Sequence, residues 1–308
     1  MEVKRLGLVG YGEVGKIFAS GLKPFVGAVA AWDLKFADPA TAEAETGHAS
    51  RHDIRACASM RALCEVSDLV ISAVTASNTL AVAQEAAPFL RSGAWFLDLN
   101  SASPGTRQQA AAVVEGRGAH YVEAGVMTSV PPYGIKVPML LGGARAAELA
   151  QVLAAFGCDA RAVSEKLGVA SAIKMCRSVM IKGLEALVIE SYATARAHGV
   201  EDHVLPTLQE TFPGIDWSQQ GAYFFSRVVQ HGQRRAEEMR EAANTVREAG
   251  FEPFMAAATA DKQQWVADQA RQGVFRDVGQ GARWQEYADR LLAARSALPP
   301  PKGGGSRS

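Results

Sequence analysis

The chain has little that would mark it as secreted, membrane-bound or nucleic-acid-binding. Its 308 residues include only four cysteines, Cys57, Cys64, Cys158 and Cys176. They are scattered, form no CxxC pair and have no companion histidines at metal-ligand spacing, which argues against a disulfide framework and against a metal site. Buried thiols in a reducing compartment are expected. An excess of one charge is missing too: 32 Lys and Arg balance 32 Asp and Glu, so no global field draws the chain to nucleic acid or to a membrane. No apolar run approaches the ~18 residues needed to span a bilayer. The stretch before the first glycine motif, Met1-Glu2-Val3-Lys4-Arg5-Leu6, leaves no room for the apolar core of a signal peptide. These absences predict a cytoplasmic chain whose partners are small molecules met at a local site. Residues 299–308, where Pro299-Pro300-Pro301 runs into Gly303-Gly304-Gly305, cannot pack a core and are expected to form a disordered tail.

What is present is a change of pattern halfway along. Up to about residue 164, short apolar runs alternate with helical stretches: Leu6 to Gly10, Val14 to Leu22, Val26 to Trp32 and Asp68 to Val74. Further strands are expected at Ala94 to Leu99, His120 to Val126 and Met139 to Gly143. That alternation predicts βαβ units, hence an α/β Rossmann domain with a doubly wound, mostly parallel sheet over residues 1–164. After Gly143 no further strand is expected. Apolar residues then recur at three and four, among Ala, Leu, Met, Glu and Arg, which predicts an all-α domain over 165–298. Its first helix runs without proline from about Lys166 to Ala197, roughly 45 Å at the helical rise, and only a helix joining two domains needs that reach. His198-Gly199 should close it. Shorter helices are predicted at Val204–Glu210, Gln219–Gln230, Arg234–Ala249, Pro253–Gln272 and Arg283–Ala297.

The motif with the clearest chemistry is Gly10-Tyr11-Gly12-Glu13-Val14-Gly15, between an apolar strand and a helix. In such a loop the first glycine makes the tight turn and the second lets the backbone approach a pyrophosphate. The third lets helix and strand pack closely, and the free N–H groups at the helix start favour phosphate. Asp33 closes the second strand, where a carboxylate can accept hydrogen bonds from an adenosine ribose. It would repel a 2′-phosphate, so NAD is expected over NADP, although Lys35 could pair with such a phosphate.

Several stretches together resemble the β-hydroxyacid dehydrogenase superfamily, which includes 3-hydroxyisobutyrate, tartronate-semialdehyde and 6-phosphogluconate dehydrogenases. Phe96-Leu97-Asp98-Leu99-Asn100-Ser101-Ala102-Ser103-Pro104 is similar to the family's strand-end segment, which implies that Asn100 and Ser101 stand where cofactor and substrate meet. Val74-Thr75 resembles the loop running past the nicotinamide ribose. Glu123-Ala124-Gly125-Val126-Met127-Thr128-Ser129 resembles the substrate loop, with Met127, Thr128 and Ser129 in place of a serine and two glycines. Gly168-Val169-Ala170-Ser171-Ala172-Ile173-Lys174 resembles the catalytic segment and keeps its lysine. Further on, Ser178 replaces an asparagine that holds the substrate hydroxyl. The substitutions resemble a divergent bacterial branch, phosphogluconate-dehydrogenase-like, and the helical region is too short for 6-phosphogluconate dehydrogenase itself.

The resemblance implies reversible oxidation of a 3-hydroxy acid or related small hydroxy compound, with Lys174 as acid/base and a homodimer as the assembly. A free lysine titrates near 10.4, so a working base needs burial or a neighbouring cation. Arg177, one turn on, is such a neighbour. Ser171, Lys174, Ser178, Lys182 and Glu185 share one helical stripe, which by periodicity alone could equally be a solvated face. Arg234 and Arg235 stand where the family places a pair that reaches the active site; a guanidinium fork there would bind a carboxylate, and His231 is a companion candidate. The same arginines, among Glu237, Glu238 and Glu241, could instead belong to an ion-paired surface helix. Trp217, Tyr223, Phe224, Phe225, Trp265 and Trp284 are expected in the helical core and dimer contact. Two other readings stay open: imine reduction, and nicotinamide binding or sensing without turnover.

Overall fold

The structure is a computed structural model, and it describes residues 3–296. The tail expected at 299–308 lies outside the described residues. The chain divides into two compact units. One runs up to Ser178 and includes Arg240–Pro253; the other comprises Val179–Met239 and the chain from Phe254 onward.

The first unit is an eight-stranded sheet made of β1 (Arg5–Val9), β2 (Ala28–Trp32), β3 (Arg55–Ala56), β4 (Leu69–Ser72), β5 (Trp95–Asp98), β6 (His120–Val126), β7 (Met139–Gly142) and β8 (Ala160–Ser164). Their spatial order is β3-β2-β1-β4-β5-β6-β7-β8. Every pair is parallel except β6 with β7. The chain therefore reverses its direction of winding between β1 and β4, and that switch point opens a crevice at the carboxyl ends of the strands.

Alternate residues of each strand feed opposite faces, as the two-residue period of a strand requires. On one face Leu6, Leu8, Val29, Ile71, Leu97 and Val122 pack against α1 (Glu13–Leu22) and α6 (Ala146–Ala155). On the other, Val9, Val70, Phe96 and Tyr121 pack against α3 (Met60–Cys64), α4 (Thr79–Ala86) and α5 (Pro104–Glu115). The helix α2 (Ala42–Arg51) lies in the chain between β2 and β3.

Two strands escape the sequence reading. Only two residues long, β3 is below the length that periodicity can register. The β8 strand follows the point where no more strand was expected, and its side chains are half-buried or exposed, so it lacks the apolar alternation of a sheet interior. As an edge strand it is held by pairing with β7 rather than by burial.

The helix α7 (Val169–His198) supplies the end of the first unit and the start of the second. It ends where expected, with Gly199 at φ +66°. The second unit adds α8 (Glu201–Thr211), α9 (Trp217–Glu248), α10 (Phe254–Arg271) and α11 (Trp284–Ser296). A single helix, α9, replaces the two predicted around His231-Gly232. The glycine there is no breaker: a Cβ on Gly232 would stand 2.8 Å from Gln263 O and 3.1 Å from Ala267 Cβ. It lets α9 and α10 approach at backbone distance.

The core of the second unit holds Trp217, Phe224, Phe225 and Trp284 as expected, but Tyr223 and Trp265 are exposed and sit under the cations of Arg227 and Lys262. Of the four thiols, Cys57, Cys64 and Cys158 are buried; Cys176 is exposed, on the outer side of α7. Among the described residues no helix is long and apolar enough to cross a membrane.

Candidate active site

The glycine loop gives each of its glycines a separate physical task. Gly10 has φ +89°, and a Cβ there would lie 2.4 Å from Ala73 O, so β1 and the end of β4 touch through backbone alone. A Cβ on Gly15 would collide with Gly10 O at 1.9 Å, whereas one on Gly12 would meet nothing within 4 Å. Gly12 is thus bare for an approach from outside, not for internal packing. It is the N-cap of α1 and offers no side chain to the first N–H groups. Glu13 is exposed and Val14 half-buried at that start.

Asp33 follows β2 and is half-buried. Its Oδ2 accepts from Tyr11 N at 2.6 Å and its Oδ1 from Lys35 N at 2.9 Å, so the carboxylate is oriented by the loop it faces. Each oxygen keeps a further lone pair. Lys35 itself is exposed. The Tyr11 ring is fully buried, and its Oη lies 3.1 Å from His48 Nδ1. Burial, with Glu45 adding to it, pushes the Tyr11 phenol up to about 12, so it stays protonated.

At the end of β5, Asn100 is 3 % exposed and acts as a clamp. Its Oδ1 accepts from Val74 N at 2.7 Å, and its Nδ2 donates to Ser72 Oγ at 3.0 Å. The loop Val74-Thr75 is thereby tied to β5; Thr75 is exposed, and its Oγ1 accepts from Asn78 Nδ2 at 2.9 Å. Ser101, the next residue, is half-buried.

Beneath Asn100 lies a buried ionic group that the sequence reading missed. Asp98 and Arg107 are each about fully buried and pair at 2.7 Å, and Tyr121 Oη donates to Asp98 Oδ2 at 2.7 Å. Arg107 also donates to the main-chain carbonyls of Asp98, Asn100 and Ala124, which binds the end of β5 to that of β6. Burial works against the charged Arg107, but Asp98, Tyr121 and Glu123 outweigh it and keep the guanidinium protonated.

The substrate-loop residues Met127 and Ser129 are half-buried and Thr128 is exposed; Met127 N donates to Pro138 O at 3.0 Å. Lys174 is half-buried on the second turn of α7. That turn meets β6 at Gly125, where a Cβ would stand 2.9 Å from Ala170 O and 3.5 Å from Lys174 Cβ. Arg177 is exposed and Ser178 buried.

The polar stripe along α7 is not a solvated face. Ser171, Ser178, Lys182 and Glu185 are all at most 7 % exposed. In the second unit Lys182 pairs with Glu238, and Glu185 pairs with Arg235, accepting from its Nε at 3.0 Å. Of the two arginines it is therefore Arg235 that is buried; Arg234 is partly exposed, with Nε 3.8 Å from Glu238. His231 is half-buried.

A further group is invisible in the sequence. Glu241 and Glu248, at the end of α9, cap α5: Glu241 Oε2 accepts from Ser103 N at 2.8 Å, and Glu248 accepts from Ser103 Oγ at 2.7 Å and Gly105 N at 2.9 Å. Two carboxylates satisfy the positive end of that helix. Within the first unit, then, the glycine loop, Asp33, Val74, Asn100, Ser101 and Met127 to Ser129 follow the carboxyl ends of neighbouring strands, and Lys174 on α7 stands against Gly125 near the end of β6.

A parallel nucleotide-type sheet with this glycine loop, followed by a helical region, defines a dehydrogenase-like two-domain protein. Residues 5–168 match the family described as the NAD binding domain of 6-phosphogluconate dehydrogenase, and the chain belongs to that family, within the β-hydroxyacid dehydrogenase superfamily. Residues 195–266 match a domain of unknown function. A conserved hypothetical protein from Sinorhizobium meliloti is 37 % identical, with 95 % of this chain and 97 % of that one covered and a TM-score of 0.73. A second solved structure, a conserved protein of unknown function described as similar to 3-hydroxyacid dehydrogenases, is 29 % identical over 87 % of this chain and 98 % of that one, with a TM-score of 0.65. An uncharacterised 28.5 kDa protein of Methanothermus fervidus is 27 % identical, covering 83 % of this chain and 96 % of its own length.

Proposed function

We propose that the chain is an NAD(P)-dependent oxidoreductase that interconverts a 3-hydroxy acid, or a related small hydroxy compound, and its carbonyl form. The observation that carries this reading is the contact of α7 with Gly125, which roots Lys174 on the strand-end rim that also bears the glycine loop. Gly10 to Gly15 would hold the pyrophosphate of a dinucleotide, with the bare Gly12 and the uncapped start of α1 as its cradle. Asp33 would accept from the adenosine ribose, and its charge favours NAD over NADP. Val74, Thr75 and Asn100 would flank the nicotinamide ribose.

The bound nicotinamide supplies the hydride acceptor or donor. Lys174 takes the hydroxyl proton as the substrate carbon gives up hydride, and returns it to the carbonyl oxygen in the reverse direction. Ser101, Met127, Thr128, Ser129 and Ser178 would orient the substrate. Met127 adds apolar surface where a polar side chain would bind a carboxylate. Arg177 and Arg234 are candidate anion partners, and a cytoplasmic homodimer is the expected state.

Titration of NAD⁺ and NADP⁺ by protein fluorescence, followed by a panel of 3-hydroxy acids, tests the reading. The variant Lys174→Ala should keep cofactor affinity and lose roughly 10²–10⁴ in turnover. Near-normal turnover in that variant overturns the assignment of Lys174. Cofactor binding without turnover on alcohols, carbonyls or cyclic imines would point to a binding protein instead.

A further inference from the structure

The buried group beneath the site holds two acidic side chains and one basic one. Asp98 and Glu123 are neighbours in register on β5 and β6, both fully buried, and one cation, Arg107, faces the two of them. Asp98 is the carboxylate that Arg107 engages directly. Glu123 turns the other way: its Oε1 accepts from Gly168 N at 2.9 Å and Ala170 N at 3.0 Å, the amides that open α7. Its Oε2 is buried and has no hydrogen-bond partner among the described residues. The carboxylate also needs glycine beside it, because a Cβ on Gly142 would stand 2.5 Å from its Oε1.

Helix α7 thus starts on a buried carboxylate borne by the same strand that touches Lys174 two residues later, at Gly125. A helix start carries about half a positive charge, which a full carboxylate more than cancels. Lys174 lies one turn beyond Ala170, about 6 Å along the axis. The Cα–Cβ bonds of a helix tilt towards its start, so the root of this side chain leans to the capped turn. The charged groups of the neighbouring elements include Asp98 on β5, Arg107 on α5, Arg177 on α7 itself, and Arg240, Glu241 and Glu248 on α9, the last two committed to the start of α5.

We infer that Glu123 is a positioning residue for Lys174: it anchors the first turn of α7 on β6 and supplies the negative charge that keeps the amine protonated, the form that delivers a proton to a carbonyl being reduced. This rests on the proposed role of Lys174, but its physical content does not need turnover.

The test is competitive labelling of the intact protein with trace acetic anhydride across pH, each lysine being read by mass spectrometry and Lys35 serving as an exposed reference. In Glu123→Gln the labelling midpoint of Lys174 should move towards acid by roughly half a pH unit, about a threefold gain in reactive amine at a given pH below it. Glu123→Asp keeps the charge but not the reach, and should move it less. A folded Glu123→Gln whose Lys174 labels as in the unaltered chain overturns the inference. Should that variant not fold, amide exchange on the unaltered chain decides: Gly168 and Ala170 should exchange at least tenfold more slowly than Lys166, and equal rates overturn the anchoring. If Lys174→Ala retains turnover while the labelling shift is seen, the catalytic assignment fails and the electrostatic coupling stands.

Discussion

The side-chain carbonyl of Asn100 accepts a hydrogen bond from the main-chain N–H of Val74 at 2.7 Å, joining the carboxyl ends of β5 and β4. The amide nitrogen of the same side chain holds Ser72. Asn100→Ala would leave the part-buried Val74 N–H without its acceptor, at a cost of about 1 kcal/mol. Because Val74 borders the proposed nicotinamide site, NADH affinity should fall as well. Thermal melts and fluorescence titration read the two effects separately, and a variant with unchanged affinity would make Asn100 purely structural.

Gly12 and Gly15 should separate binding from folding. Gly12→Ala meets no protein atom, so stability should change by no more than about 0.5 kcal/mol while dinucleotide affinity drops at least tenfold. Gly15→Ala drives a methyl group into Gly10 O and should cost about 1–3 kcal/mol. Equal affinities for Gly12→Ala and the unaltered chain would show that the pyrophosphate does not approach there.

Asp68 predicts the acid limb of stability. Burial pushes its carboxyl up, but hydrogen bonds from Arg5, Arg91 and Lys4 N outweigh that and hold it at about 2. A depressed carboxylate contributes stability that is complete above its unfolded value, near 4, and is lost as pH falls towards 2. Asp68→Asn should therefore destabilise the protein by about 1–2 kcal/mol at neutral pH and much less at pH about 2. Urea melts at both pH values check the difference.

Arg235 and Glu185 form a buried pair in the second unit, with Gln263 Nε2 donating to the same carboxylate at 3.3 Å. Burial pushes Glu185 up and Arg235 opposes it. Arg235→Met alone should cost about 3–5 kcal/mol by stranding a charge, whereas the double variant with Glu185→Leu should recover most of it. In the single variant Glu185 is an acid raised above its unfolded value, so the penalty should ease as pH falls through that raised value and be gone below about pH 4, the unfolded value. Denaturation of the four combinations measures the coupling.

The pattern of apolar residues alone is enough to place six of the eight strands, because a buried parallel sheet repeats its apolar residues locally and glycine marks the turns. It also assigns each glycine of Gly10 to Gly15 its task, since a positive φ at Gly10 and a backbone contact at Gly15 are demands that only glycine meets. Pattern fails where pairing replaces burial, as at β8, and where a glycine packs against a neighbouring helix instead of ending its own, as at Gly232 in α9.

What the sequence by itself determines here is periodic and short-range: a nucleotide-type sheet, a long helix bearing Lys174, and helices to the end of the described chain. What only the tertiary structure decides is which charges meet. Nothing local links Ser103 to Glu248, 145 positions away, or Glu185 to Arg235, 50 away. An arginine on α5 and a glutamate on β6 read as ordinary polar residues until the fold strips water from both, and it is that loss of solvent that makes their partners obligatory.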